Sequence, residues 1–468
     1  MKLVYQVEDR PSFGKTLVFA IQQLLAIMAA TLVVPVIVGN GMSPAAALFG
    51  AGVGTFVYLL FTKFKSPVFL GSSFAFINSM FAAFAGAATV GLGYLGLIIG
   101  AILAGLVYVA ISIAVKYAGV NWLNKLMPPV VIGPTVAIIG LSLAGNAIGD
   151  LQNGGVKNIL NVSVAHPLIC ILCGLVTLFT VIICSTYGKK MVKLIPFIIG
   201  ILAGYVVAVI FTLIGNAADV DALKVVSFAS FQNLVADGVK LTTFISLPDF
   251  TFVKAFGAFG ELSGQYIGTI AAAYIPVAFV VFAEHVADHK NISSIIERDL
   301  LNDPGLNRTL LGDGVGSMAG AFFGGCPNTT YGESVACVAI SGNASVVTIM
   351  FAAVGAILIA FLSPFVALVN SIPSCVMGGV CIALYGFIAV SGLKMISKVD
   401  LGLNKNLFVV STILICGIGG LALNFGKVTI TSIATALILG IIVNVVLSKS
   451  KEGEVSEEVA TEEENTEA

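Results

Sequence analysis

Gly324-Gly325-Cys326-Pro327-Asn328-Thr329-Thr330-Tyr331-Gly332-Glu333 interrupts a strongly apolar chain with helix breakers, small hydroxyl side chains and one carboxylate. Apolar residues precede it at 308–323 and follow it to Ile340, so the break falls inside an otherwise helical hydrophobic region. A helix that starts near Glu333 leaves its first-turn N–H groups without intrahelical acceptors and turns its positive dipole end toward the interior. Leu70-Gly71-Ser72-Ser73-Phe74-Ala75-Phe76, within 67–84, repeats the device in the first half of the chain. Non-helical backbone at such depth is tolerated only where protein or a cavity surrounds it, so the two breaks are expected to face one cavity.

The rest of the chain supplies the solvent for that argument. Of 468 residues, 58% are hydrophobic and 10% charged, and the mean hydropathy is +1.05. No single aqueous core buries that much apolar side chain, so lipid is the expected surroundings. Crossing ~30 Å of hydrocarbon takes roughly 20 apolar residues as a helix. Such stretches fall at 17–39, 44–62, 91–115, 129–149, 167–187, 194–214, 265–287, 308–323, 346–369, 373–393, 407–424 and 430–447. With the broken segments 67–84 and 327–340, these twelve spans become fourteen. The run at 17–39 is too long for the h-region of a signal peptide and reads as the first transmembrane helix.

Placing residue 1 in the cytoplasm puts 18 of the 23 Lys and Arg on the inside. The five outside are Lys157, Lys224, Lys240, Lys254 and Lys427. That asymmetry orients the chain in the cell membrane with both termini cytoplasmic. The broken segments come third in each half, and each half has an odd number of spans, which predicts an inverted repeat. Residues after Lys451 carry eight Glu and almost no apolar side chain, the composition of a disordered tail. The net charge of −1 is uninformative, and nucleic acid is not an expected partner. Cys170 and Cys173 form the only close cysteine pair and lack companion ligands, so neither disulfide, metal nor cofactor is expected.

Of 24 acidic residues, only Glu284, Asp288 and Glu333 fall at membrane depth, with Asp313 at the margin. A carboxylate at the bilayer centre costs at least ~2.5 kcal/mol, so such groups face cavities and mark substrate or proton routes. Glu284 and Asp288 are spaced i, i+4 and share one helix face. Two carboxylates in one poorly solvated space resist double ionisation, which suits reversible protonation. His285 points away from Glu284, and His289 falls beside Lys290, so structural or interfacial roles are expected for both. Three His and one acid pair provide neither a metal set nor a nucleophile with its base, which argues against an enzyme.

Glu284-His285-Val286, Asn302-Asp303-Pro304-Gly305-Leu306, Pro327 to Glu333 and Leu70 to Phe76, in this order and spacing, resemble the bacterial uracil permeases of the nucleobase-ascorbate transporter (nucleobase:cation symporter-2) family. The resemblance extends from Arg10 to Leu447 and includes Ala30-Thr31, Val34-Pro35, Met377-Gly378-Gly379 and Tyr385. It implies an all-α polytopic fold of two inverted sevens with short extended stretches in segments 3 and 10. The implied division is a cytoplasmic N-terminus (1–16), core segments 1–4 (17–127), gate segments 5–7 (128–215), an extracellular linker (216–264), core segments 8–11 (265–369), gate segments 12–14 (370–448) and the tail (449–468). It further implies uracil:proton symport by alternating access, with a tendency to pair as a homodimer through the gate domain.

By the same resemblance Glu284 and Glu333 contact the base, backbone N–H groups around Phe74 and Gly332 bind its carbonyl oxygens, and Ala30 and Tyr331 shape the pocket. Proton coupling falls to Glu284, Asp288 and Glu333. Uracil presents two N–H donors and two C=O acceptors, which two carboxyls and two helix N-termini complement. Asp288 is acidic where purine-transporting relatives also often are, so xanthine or uric acid stays an alternative. An anion transporter sharing the inverted fold is the more distant one, since anions have little use for two carboxyls.

Overall fold

The computed structural model describes residues 3–119, 127–156, 163–189, 191–236, 238–425 and 428–448. The tail expected at 449–468 lies outside the described residues. The first part of the chain forms α1 (Phe13–Val38), α2 (Pro44–Phe61), β1 (Leu70–Ser72), α3 (Ile77–Ala85) and α4 (Val90–Ala118). α5 (Pro129–Ser142), α6 (Ala144–Asn153), α7 (Pro167–Tyr187) and α8 (Pro196–Ala218) follow. After a connection of short helical turns come α9 (Gly264–Ile296), α10 (Leu306–Gly324), β2 (Asn328–Thr330), α11 (Gly332–Ser341) and α12 (Val346–Ile359). The chain ends in α13 (Ser363–Ser371), α14 (Ser374–Ile396), α15 (Asn404–Ile418), a hairpin of β3 (Leu423–Phe425) and β4 (Val428–Ile430), and α16 (Ser432–Leu447). The order helix, helix, strand, short helix, helix occurs twice, as α1 to α4 and α9 to α12.

Local chemistry explains the ends. Ser43 caps α2 through the Ala46 N–H (3.2 Å), Thr89 caps α4 through Leu92 (3.2 Å), and Ser263 caps α9 through Tyr266 (3.1 Å). Pro44, Pro129, Pro167 and Pro196 open their helices, where no N–H is needed. Among the described residues, eight helical stretches are long and apolar enough to cross a membrane. Their outward faces leave Leu106, Phe179, Ile210 and Val390 exposed, as a lipid-facing surface requires.

The bundle positions the site through one crossing above all, that of α2 with α10. Gly54 faces the backbone of Gly316, and Gly50 that of Gly320; a β-carbon at Gly54 would lie 2.7 Å from the Gly316 carbonyl oxygen. Gly54→Leu is therefore expected to lower stability by about 1–3 kcal/mol through overpacking. Thermal unfolding of the purified protein in detergent checks this, and an unchanged midpoint would mean the helices separate at no cost.

The span expected at 129–149 divides at Leu143 into α5 and α6, that at 407–424 ends as helix at Ile418 before β3, and two more depart from their expected limits. The span expected at 265–287 runs on to Ile296, because His285 and His289 are buried in protein and the two acids face a cavity, so the polar run does not end the helix. The span expected at 346–369 divides into α12 and α13. Ser363 donates its N–H to Phe244 O (3.0 Å) and Ser246 to Phe361 O (3.0 Å), so connector backbone takes the place of helical pairing. The N-terminal segment also pairs, with Val4 N–H on Gly342 O (2.7 Å) and Ala344 N–H on Tyr5 O (2.9 Å). Glu8 binds Arg298 at that end of the bundle, and Lys254 binds Asp249 and the Gly41 carbonyl at the other.

Candidate functional site

β1 and β2 pair antiparallel at the centre of the bundle, Leu70 opposite Thr330, Gly71 opposite Thr329 and Ser72 opposite Asn328. All six residues are buried, and their surroundings satisfy the backbone that helix would otherwise have satisfied. Ser73 N–H reaches Pro327 O (2.9 Å), Phe69 N–H reaches Ser334 Oγ (2.9 Å), and Leu70 N–H reaches Thr55 Oγ1 (3.0 Å). Gln23 from α1 holds Ser334 in turn. Each strand leads into a short helix, α3 and α11, with no side chain capping its N-terminus. The two uncapped ends leave first-turn N–H groups for an external acceptor.

A cavity of about 460 Å³ lies against this hairpin. One wall comes from Ser73, Phe74 and Ala75 and from Thr329 to Glu333; a second comes from α9 with Ala283, Glu284, Ala287 and Asp288. The i, i+4 spacing thus sets both α9 carboxyls on the cavity, with Glu333 across from them. Each is only partly exposed, as a group facing an internal space is. Thr330 donates its hydroxyl to Asp288 Oδ2 (2.8 Å) and thereby fixes that carboxylate to β2. Among the described residues the lining holds three acids and no Lys, Arg or His.

Six of the seven residues named from the sequence line this space: Glu284, Asp288, Glu333, Phe74, Tyr331 and Gly332. Ala30 does not; it is buried in α1, in the same apolar cluster as Tyr331. Tyr331 is held by its hydroxyl, which donates to Ser72 O (2.7 Å). Its ring occupies the place a side chain at Gly71 would take. Gly71→Ala is expected to displace that ring and to lower substrate affinity while the protein still inserts. Equilibrium binding of radiolabelled substrate checks this, and unaltered affinity would remove Tyr331 from the pocket.

The facing wall was not legible in the sequence. Ile132, Val136 and Ile139 of α5, Phe197 of α8, and Leu384, Phe387 and Ile388 of α14 supply it, and nothing distinguishes them from lipid-facing residues of their helices. Phe387 packs edge-on against Phe197 (6.1 Å), and Tyr385 edge-on against Phe74 (6.2 Å). Such rings suit a flat heterocycle.

His289 is fully buried, where an interfacial position was one expectation, and neither it nor His285 touches the cavity. His285 Nδ1 lies 2.7 Å from Asp313 Oδ2 and Nε2 2.9 Å from Thr309 Oγ1. His289 Nδ1–H donates to the His285 carbonyl (2.8 Å), and Nε2 lies 2.7 Å from Tyr58 OH. These contacts clamp α9 to α2 and α10 behind the two acids.

The cavity meets a second, larger one of about 1140 Å³, since Ile132, Ala283, Ala287 and Met395 line both. At the opposite end of α5, Asn78 Nδ2 donates to Ser142 Oγ (3.3 Å). A chamber with acids on one wall and apolar side chains on the other, set among membrane-crossing helices with a wide approach from one side, fits a multi-span membrane transporter.

Residues 14–426 match the family model described as "Permease family" (Xan_ur_permease), and the chain belongs to that family. It is 40% identical to the uracil permease of Bacillus caldolyticus over 95% of each chain. It is 36% identical to that of Bacillus subtilis (strain 168), again over 95% of each, and 34% identical to that of Escherichia coli (strain K12) over 93% of this chain and 92% of the other. In fold it resembles the transmembrane domain of the cyanobacterial bicarbonate transporter BicA, with a TM-score of 0.62 at 16% identity over 94% of this chain and 100% of that one. The murine anion transporter Slc26a9 in its inward-facing state also gives 0.62, at 11% identity over 95% of this chain and 69% of the other.

Proposed function

We propose that this permease imports uracil in symport with a proton, by alternating access. The observation that carries the reading is the cavity's charge: three carboxyls, no cationic side chain and two uncapped helix starts around one space. An anion finds no counter-charge among the side chains there, so likeness of fold to anion transporters does not extend to their substrates. A neutral ring with N–H donors and carbonyl acceptors meets a partner at each edge: Glu284 and Glu333 accept from N–H, and amides near Phe74 and Gly332 donate to C=O. The relatives named as uracil permeases favour the pyrimidine over a purine.

In this reading Glu284, Asp288 and Glu333 take up the coupled proton. The fourteen segments then work as a core domain (segments 1–4 and 8–11) that moves against a gate domain (5–7 and 12–14). The approach through the 1140 Å³ cavity at the Lys-rich end corresponds to the cytoplasmic side. Competition against bound radiolabelled uracil by unlabelled uracil, xanthine and sulfate tests the substrate. Displacement by uracil alone supports the proposal, and displacement by sulfate overturns it.

A further inference from the structure

The larger cavity is lined by Lys116 of α4, Lys290 of α9 and Lys398 just beyond α14, with Asn302 and Asn307 and, among the described residues, no Asp or Glu. Lysines facing lipid headgroups near a membrane surface are ordinary. These three sit instead on the wall of a concavity and come from two helices and the turn that follows a third. Two other basic groups at the same end of the bundle are paired instead with carboxylates: Lys65 with Asp303 (2.6 Å) and Arg298 with Glu8. Among the described residues, none of the three cavity lysines has a carboxylate partner, and Lys116 rests only over the Tyr117 ring (5.3 Å). Like charges gathered on concave, low-dielectric walls focus a positive potential and favour a multivalent anion.

We propose that this mouth binds a phosphate-bearing anion, either a soluble polyphosphate or the headgroup of an acidic phospholipid. The space it fills joins the substrate cavity through Ile132, Ala283, Ala287 and Met395. An anion lodged there blocks the route out of the site. It also selects the conformation in which the mouth is open, because Lys116 and Lys290 belong to one proposed moving part and Lys398 to the other. The inhibitory consequence rests on the alternating-access reading above; the binding does not.

The test begins with binding alone. Thermal unfolding of the purified permease in neutral detergent is recorded with inorganic pyrophosphate and, separately, with phosphatidylglycerol, for the wild type and for K116Q/K290Q/K398Q. An upward shift of the wild-type midpoint with pyrophosphate that the triple variant lacks assigns a soluble ligand. The same pattern with phosphatidylglycerol assigns a lipid headgroup. The corresponding Lys→Arg triple variant retains the charge and should retain the shift, which separates loss of the site from loss of the fold. A wild type that responds to neither probe, or a Lys→Gln variant that responds as fully as the wild type, overturns the proposal. In proteoliposomes, pyrophosphate entrapped in the lumen should slow wild-type uracil uptake at least about fivefold, the low end of coupling between two sites, and leave the Lys→Gln variant unaffected.

Discussion

Glu284→Gln is expected to weaken uracil binding roughly 10- to 100-fold and to abolish its accumulation. The carboxylate of Glu284 lines the cavity from the middle of α9. The replacement is isosteric, so the fold and the His285–Asp313 contact behind it are retained. What changes is the hydrogen bonding. A carboxylate only accepts, as a ring N–H demands, whereas the amide turns a donor toward the base or offers a weaker neutral acceptor. A hydrogen bond to a charged group contributes about 1.5–3 kcal/mol, which sets the expected range. Equilibrium binding of radiolabelled uracil to purified protein measures it. Wild-type affinity in Glu284→Gln would remove this residue from the substrate and with it the proposed orientation of the ring.

Asp288→Asn should have an effect of comparable size on a different quantity. Asp288 stands one turn beyond Glu284 on the same face and is tied to β2 through Thr330, at the edge of the chamber nearer the open mouth. Asparagine still accepts the Thr330 hydroxyl, so the hairpin keeps its place. It no longer exchanges a proton. Substrate binding and carrier-mediated exchange are therefore expected to persist, while accumulation falls to an inside-to-outside ratio of roughly one, as for a neutral solute without a coupled ion. Counterflow into preloaded proteoliposomes and uptake under a proton gradient separate the two. Full protonophore-sensitive accumulation by Asp288→Asn would assign the coupled proton to Glu284 or Glu333.

The parts of the fold legible in the sequence are those where local chemistry and hydropathy agree. Pro167 to Tyr187 matches its expected span at both ends because a proline opens the helix and Gly188 follows it. The two breaks were legible because Gly, Ser, Thr and Asn interrupt apolar runs, and they form β1–α3 and β2–α11. The acids were legible because charge is rare at that depth. Lost were the features whose partners lie far along the chain. Pro364 marks a new helix start just past Ile359, yet hydropathy runs through it, and the backbone that replaces the lost pairing belongs to residues 244–246. His289 looked interfacial beside Lys290, yet Tyr58, from α2, buries it. The apolar half of the chamber has no signature, because a side chain that touches a substrate and one that touches lipid obey the same hydropathy.

Fold and site therefore carry different information here. The fold is shared with a bicarbonate transporter and with an anion transporter at 16% and 11% identity, so it specifies a mode of construction and not a cargo. The proposed cargo rests on the side chains of α9 and α11, which set three carboxyls around one space beside the hairpin.

The most direct test of that central claim is uptake of radiolabelled uracil into proteoliposomes under an imposed inward proton gradient, with and without a protonophore and with excess unlabelled xanthine. Accumulation that the protonophore abolishes and xanthine leaves unchanged is the predicted result. Absence of uracil uptake, or accumulation indifferent to the protonophore, would contradict it.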